Sequence, residues 1–137
     1  DFCLSRGLGD VYKRQRIIEA NTITCNGSTV VANGTGYNLG TFAATTTIVG
    51  VWRMVEMGGS GSNTIALEIQ SETNDTWGSP TTRINFGTIT HSTGVSHIVT
   101  TATGPAASES WWRVQIQSTG TGSRTFKNYV SFGYYVT

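Results

Sequence analysis

Between Asn63 and Ser71 large aliphatic residues alternate with smaller or polar ones: Ile65, Leu67 and Ile69 are separated by Ala66 and Glu68 and followed by Gln70. A two-residue period sends alternate side chains to opposite faces of an extended strand, and a helix cannot sort them that way. The pattern returns over Trp111–Ser118, where Trp112, Val114 and Ile116 face inward and Arg113, Gln115 and Gln117 outward. In the segment from Thr125 to Val136, residues Phe126, Val130, Phe132, Tyr134 and Val136 share a face with Asn128. No apolar repeat of helical period persists for three turns. Such strands must bury one face each, and a second sheet is the partner they require.

The remaining strands are expected at Ile17 to Cys25, Ser28 to Ala32, Tyr37 to Ala44, Thr46 to Met57, Thr82 to Thr90 and Val95 to Thr103. Asn26-Gly27 and Asn33-Gly34 suit tight turns, because both residue types accept positive φ. Gly58-Gly59-Ser60-Gly61-Ser62 reads as a flexible connection and Glu72 to Pro80 as a loop. Eight or nine short strands at this spacing predict an all-β fold, an antiparallel β-sandwich of jelly-roll type. One domain spans residues 16–137.

Residues 1–15 stand apart. From Ser5 to Gln15 they correspond, codon for codon, to the adapter that transposase-based library preparation attaches to DNA fragments, and Asp1 to Leu4 fit a primer end and a sample index. The expectation is a non-native segment from environmental sequencing, to be excluded from fold reasoning. It leaves the natural N-terminus, with any signal peptide, unaccounted for.

That exclusion changes the charge balance. The chain has nine Lys and Arg against eight Asp and Glu, and removing the first fifteen residues leaves six of each. Six scattered cations make no basic stripe, so nucleic acid is not an expected partner. No apolar run approaches the ~20 residues of a membrane span. With 23 threonines and only 12% charged residues, the surface is hydrated but weakly repulsive, which suits close packing against neighbours.

Reactive groups are sparse. Cys25 is the one cysteine left beside Cys3, so no internal disulfide is expected, and it reads as a core-edge residue. His91 and His97 flank a turn without the further ligands a metal needs. Glu72, Asn74 and Asp75 offer too few oxygens for calcium and read as a polar turn. Glu56, Glu68, Glu72 and Glu109 could pair for glycoside hydrolysis, but Glu68 faces outward on a strand and the others sit at strand ends or in loops. No enzyme, no cofactor and no metal site is expected. The sequons at Asn26, Asn33 and Asn74 arise readily by chance in a Thr-rich chain.

Aromatic residues are the remaining candidates. Trp111-Trp112 and Tyr134-Tyr135 place neighbours on opposite faces, so one of each pair must point outward. Trp77, Trp111 and Tyr135 are therefore the candidate contact or glycan-stacking residues, since an exposed ring can stack on a sugar or anchor a subunit.

From about Gly36 onward the chain resembles small β-sandwich virion structural proteins of tailed, often marine, phages. The resemblance lies in residues 67–83 (LEIQSETNDTWGSPTTR), in Trp111-Trp112-Arg113-Val114, and in Thr125-Phe126 through Phe132-Gly133. It implies a capsid-decoration, tail or fibre protein that packs in many copies against sibling subunits or capsid and tail proteins of a virion. The competing expectation is an extracellular carbohydrate-binding module with Trp77, Trp111 or Tyr135 lining one flat surface or cleft, and a third is a cell-surface adhesion repeat.

Overall fold

The computed structural model describes residues 16–137 except 91–94, 104–107 and 137, and side chains only within 20–90, 98–101 and 108–134. The proposed adapter segment therefore lies outside the described residues. Nine strands follow in order: β1 (Arg16–Thr24), β2 (Val30–Asn33), β3 (Tyr37–Asn38), β4 (Thr46–Ser60), β5 (Asn63–Glu72), β6 (Thr81–Thr90), β7 (Val95–Thr103), β8 (Trp111–Gly120) and β9 (Ser123–Val136). They form a four-stranded sheet in the order β1-β9-β4-β7 and a five-stranded sheet in the order β2-β8-β5-β6, with β3 also on β8. All pairings are antiparallel. The chain changes sheet at every connection except β2–β3 and the β5–β6 hairpin. First and last strands pair, as in a jelly roll.

The alternating residues behave as their period requires. Ile65, Leu67 and Ile69 of β5 and Trp112, Val114 and Ile116 of β8 are buried against Ile48, Trp52 and Met54 of β4 and Phe126, Val130 and Phe132 of β9. Asn128 shares that inward face, and burial obliges it to find a partner. The Trp52 indole N–H donates to its Oδ1 at 2.9 Å. The Trp52 and Phe86 rings meet edge to face across the core, their centroids 5.9 Å apart.

Gly50 shows how closely the two layers approach. A Cβ there would stand 2.7 Å from Phe86 Cζ and 2.9 Å from Ile84 Cδ1, so a larger residue in β4 would push the facing sheet outward.

Two boundaries differ from the sequence pattern. The strand expected over Tyr37 to Ala44 is cut to two residues, because Asn38 Oδ1 accepts the Gly40 N–H at 3.0 Å and Gly40 takes φ +78°. This local turn outcompetes the ladder, and it folds the chain so that Phe42 enters the core against Trp112, centroids 5.2 Å apart. Conversely, β4 runs on through Gly58-Gly59 to Ser60, after a register shift between Glu56 and Gly58. Gly59, at φ +123°, lies so close to the Ser123 and Arg124 backbone that no Cβ would fit. Glycines that look like a flexible loop here extend a strand.

Replacing Gly50 by valine is expected to destabilise the fold by about 1–3 kcal/mol, the usual cost of overpacking a filled core. Urea unfolding monitored by tryptophan fluorescence would read this as a lower midpoint at unchanged slope.

Candidate polar face on the five-stranded sheet

Burying one row of β5 and β8 commits the other to the outer face. On that face the cross-strand pairs are Glu68 with Gln115, Gln70 with Arg113 and Glu72 with Trp111. Asn33 of β2 stands opposite Gln115 on its other side, while Thr82 and Asn85 of β6 flank β5.

These side chains join into one hydrogen-bonded row. Gln115 Nε2 donates to Asn33 Oδ1 at 2.8 Å, and Gln70 Nε2 donates to Gln115 Oε1 at 3.2 Å and to Glu68 Oε2 at 3.3 Å. Glu68 also accepts from Thr82 Oγ1 at 2.7 Å and from Asn85 Nδ2 at 3.3 Å. The row spans four strands, from one sheet edge to the other. Mutual bonding holds each group in place before any ligand arrives, which lowers the entropic cost of binding.

The β5–β6 loop supplies the aromatic part. Glu72 clamps the loop at both ends by accepting the Thr73 N–H at 2.9 Å and the Ser79 N–H at 3.0 Å. Those two backbone bonds hold its carboxyl below the usual carboxylate range. Within the loop, Asn74 Oδ1 accepts the Thr76 N–H at 2.9 Å and is also bonded to the Thr76 hydroxyl. The polar-turn reading of Glu72 and Asn74 therefore describes their contacts. Trp77 follows at φ +55°, the only non-glycine residue with positive φ among the described residues. This left-handed step turns its indole back over the sheet, 4.3 Å from the Arg113 guanidinium and against Gly36. A Cβ on Gly36 would lie 2.9 Å from Trp77 Cζ2, so glycine leaves the space in which the ring lies down.

Arg113 is 8% exposed and donates through Nε to Gln70 Oε1 at 3.0 Å. Burial pushes the guanidinium below its ordinary value, although an arginine at that depth keeps its charge. The ring above it compensates part of the desolvation as a cation–π contact, worth up to about 2 kcal/mol when water is excluded.

At the same end of the sheet, Glu109 fastens the segment preceding β8. Its carboxylate accepts from Ser71 Oγ, from Arg83 Nε at 2.8 Å and Nη2, and from Thr81 Oγ1 at 3.1 Å. Burial alone would raise the Glu109 pKa, but the bonds from Ser71, Arg83 and Thr81 outweigh it and the net direction is down. A carboxyl lowered on folding adds stability above its ordinary value of 4.5 and loses it as the pH falls below.

The structure brings two of the three candidate aromatics together. Trp77 and Trp111 are both half-buried and adjoin Arg113 on the five-stranded sheet, Trp111 standing two residues before it. Tyr135 pairs with Thr47 in the four-stranded sheet, and its side chain lies outside the described residues. His91 and the His97 side chain also lie outside them. Among the described residues, no group of three His, Cys, Asp or Glu is placed to hold a metal. Cys25 is buried at the core edge, its sulfur 2.6 Å from Ser118 Oγ. Pattern reading found Glu68, Gln70, Arg113 and Gln115 as outward residues but missed the row they form, because its members come from strands distant in sequence.

No protein-family model matches the chain, and no curated protein matches it. Among solved structures it is similar to the C-terminal family 22 carbohydrate-binding module of Clostridium thermocellum xylanase 10B, in which cleft residues serve ligand binding. The identity is 13% and the TM-score 0.51, over 95% of this chain and 87% of that one. It is also similar to the N-terminal modules of the same xylanase complexed with xylohexaose, at 11% identity and TM-score 0.51, over 90% of this chain and 28% of that one. A third likeness is to the Gx strain of infectious bursal disease virus, at 11% identity and TM-score 0.50, covering 97% of this chain and 36% of that one. At these identities the likeness is one of fold: an all-β sandwich shared by carbohydrate-binding modules and viral proteins.

Glu109→Gln is expected to lower stability at pH 7 and to flatten the loss of stability below pH 4.5. Denaturation midpoints measured from pH 3 to pH 7 on both proteins would check this.

Proposed function

We propose that the outer face of the five-stranded sheet binds carbohydrate. The observation that carries the reading is the row Asn33–Gln115–Gln70–Glu68, fixed by its own hydrogen bonds and bordered by the half-buried Trp77 and Trp111. Sugars present hydroxyls that donate and accept in close succession, and amides and a carboxylate answer both roles. Their ring C–H faces are apolar and stack on indole. Few convergent polar groups beside aromatic surface are what a small-ligand site requires. The fold shared with the xylanase modules supports the reading, and the polar row is its basis. The domain acts by binding and performs no reaction.

A second reading, a virion structural protein packed in many copies, is favoured by the opposite face. On the outside of the four-stranded sheet Val49, Val51 and Val55 of β4 lie near Val99 of β7 and Tyr129 of β9, with Val99 57% and Tyr129 40% exposed. Apolar surface of this kind, interrupted by Arg53 and Lys127, suits contact with sibling subunits or with capsid and tail proteins, and many copies would compensate for weak single contacts. Val99→Lys is expected to abolish any concentration-dependent association of the chain beginning at Arg16, as read by sedimentation velocity. A native protein that stays monomeric at high concentration would remove this reading.

For the carbohydrate site, Trp77→Ala is expected to weaken binding to a responsive polysaccharide about tenfold or more, or ~1.4 kcal/mol. Gln70→Ala should weaken it by a smaller factor. Affinity electrophoresis across a panel of soluble polysaccharides checks both, with circular dichroism confirming the fold. Full affinity in Trp77→Ala would contradict the assignment.

A further inference from the structure

Arg113 is treated differently from two other partly buried arginines among the described residues. Arg83 is paired with Glu109 and Arg124 with Glu56. Arg113 is the most buried of the three, yet its hydrogen-bond partner is the neutral amide of Gln70, and no carboxylate pairs with it among the described residues. Carboxylates stand near. Glu68 and Glu72 occupy the diagonal positions across β5. Both are turned elsewhere: Glu68 to Thr82, Asn85 and Gln70, and Glu72 to the Thr73 and Ser79 amides.

A buried cation without a counter-charge is costly to keep. Trp77 offsets part of that cost from one side of the guanidinium. The terminal nitrogens make no hydrogen bond to the described residues. Nor do they belong to the fully buried polar atoms that lack a partner among the described residues, Asn63 Oδ1, Trp112 Nε1 and Asn128 Nδ2. The two terminal nitrogens therefore keep some solvent contact beside a half-buried indole. A guanidinium fork matches a carboxylate or another oxyanion through two parallel bonds.

We infer that Arg113 is the acceptor site for an anionic group borne by the bound sugar, so that the ligand class is an acidic polysaccharide, carboxylated or sulfated. The inference rests on the carbohydrate reading. A sugar ring lies against Trp77 with its anionic substituent on the Arg113 fork, while its hydroxyls meet Gln70 and Gln115. The ligand supplies the counter-charge that Glu68 and Glu72 do not.

The test is titration calorimetry of the whole chain with polygalacturonate, a sulfated galactan and uncharged xylan, at 50 and 500 mM salt. One or both acidic polymers are expected to bind at least ten times tighter than xylan and to lose affinity with salt, and the two acidic arms identify the substituent. Arg113→Gln is expected to erase the preference for acid over neutral polymer, and Arg53→Gln, on the other sheet, to retain it. If Arg113→Gln fails to fold, the acid-to-neutral ratio of the native chain still decides. Uncharged xylan bound as tightly as the better-bound acidic polymer, or a preference that survives in Arg113→Gln, overturns the inference and leaves the carbohydrate site standing. Absence of binding to all three polymers overturns both.

Discussion

Every arrangement in this molecule follows from the burial of one side of each strand between two facing sheets. The period of two leaves no freedom: Leu67 and Ile69 cannot enter the core unless Glu68 and Gln70 leave it, and Trp112 and Val114 do the same for Trp111 and Arg113. A one-residue slip of β5 on β8 would expose the aliphatic row and bury Glu68 and Gln70 without their partners. The inter-sheet contact thus sets both the stability of the fold and the register of the outer polar row. The Trp52–Asn128 bond adds a second constraint, because a polar pair inside an apolar layer is satisfied in one register only.

On that frame the two outer faces diverge in character. One carries Asn33, Gln115, Gln70, Arg113 and Glu68 in mutual contact. The other carries valines with Arg53, Lys127 and Tyr129, the Lys127 ammonium lying 5.4 Å from the Tyr129 ring. The divergence is one of chemistry and not of backbone, since both sheets obey the same alternation. A sandwich can therefore use one side for a small polar ligand and keep the other for a larger, drier contact.

Much of this was legible from the residues. Strong alternation in β5 and β8 gave their faces correctly, and it put Asn128 on the inward side. What failed was decided by local competition or by distance along the chain. Asn38 and Gly40 form a turn inside the strand expected over Tyr37 to Ala44, and Gly58-Gly59 extend a strand where glycines suggested a loop. Trp77 was recognisable as a candidate, but its position over Arg113 depends on a left-handed backbone step, the Glu72 clamp and the space at Gly36. No single one of these shows in the pattern. Tyr135 looked equivalent to Trp111 as the outward member of an aromatic pair, yet strand order assigns it to the other sheet. Periodicity gives the face of a strand; which strands become neighbours is a property of topology.

The most direct measurement is side-chain NMR of the nitrogen-labelled chain titrated with an oligosaccharide fragment of a bound polymer. The account predicts shifts in the indole signals of Trp77 and Trp111 and in the side-chain amides of Asn33, Gln70 and Gln115, with Trp52 and Trp112 unmoved. Shifts confined to the four-stranded sheet, or spectra unchanged by a sugar that binds, would contradict it.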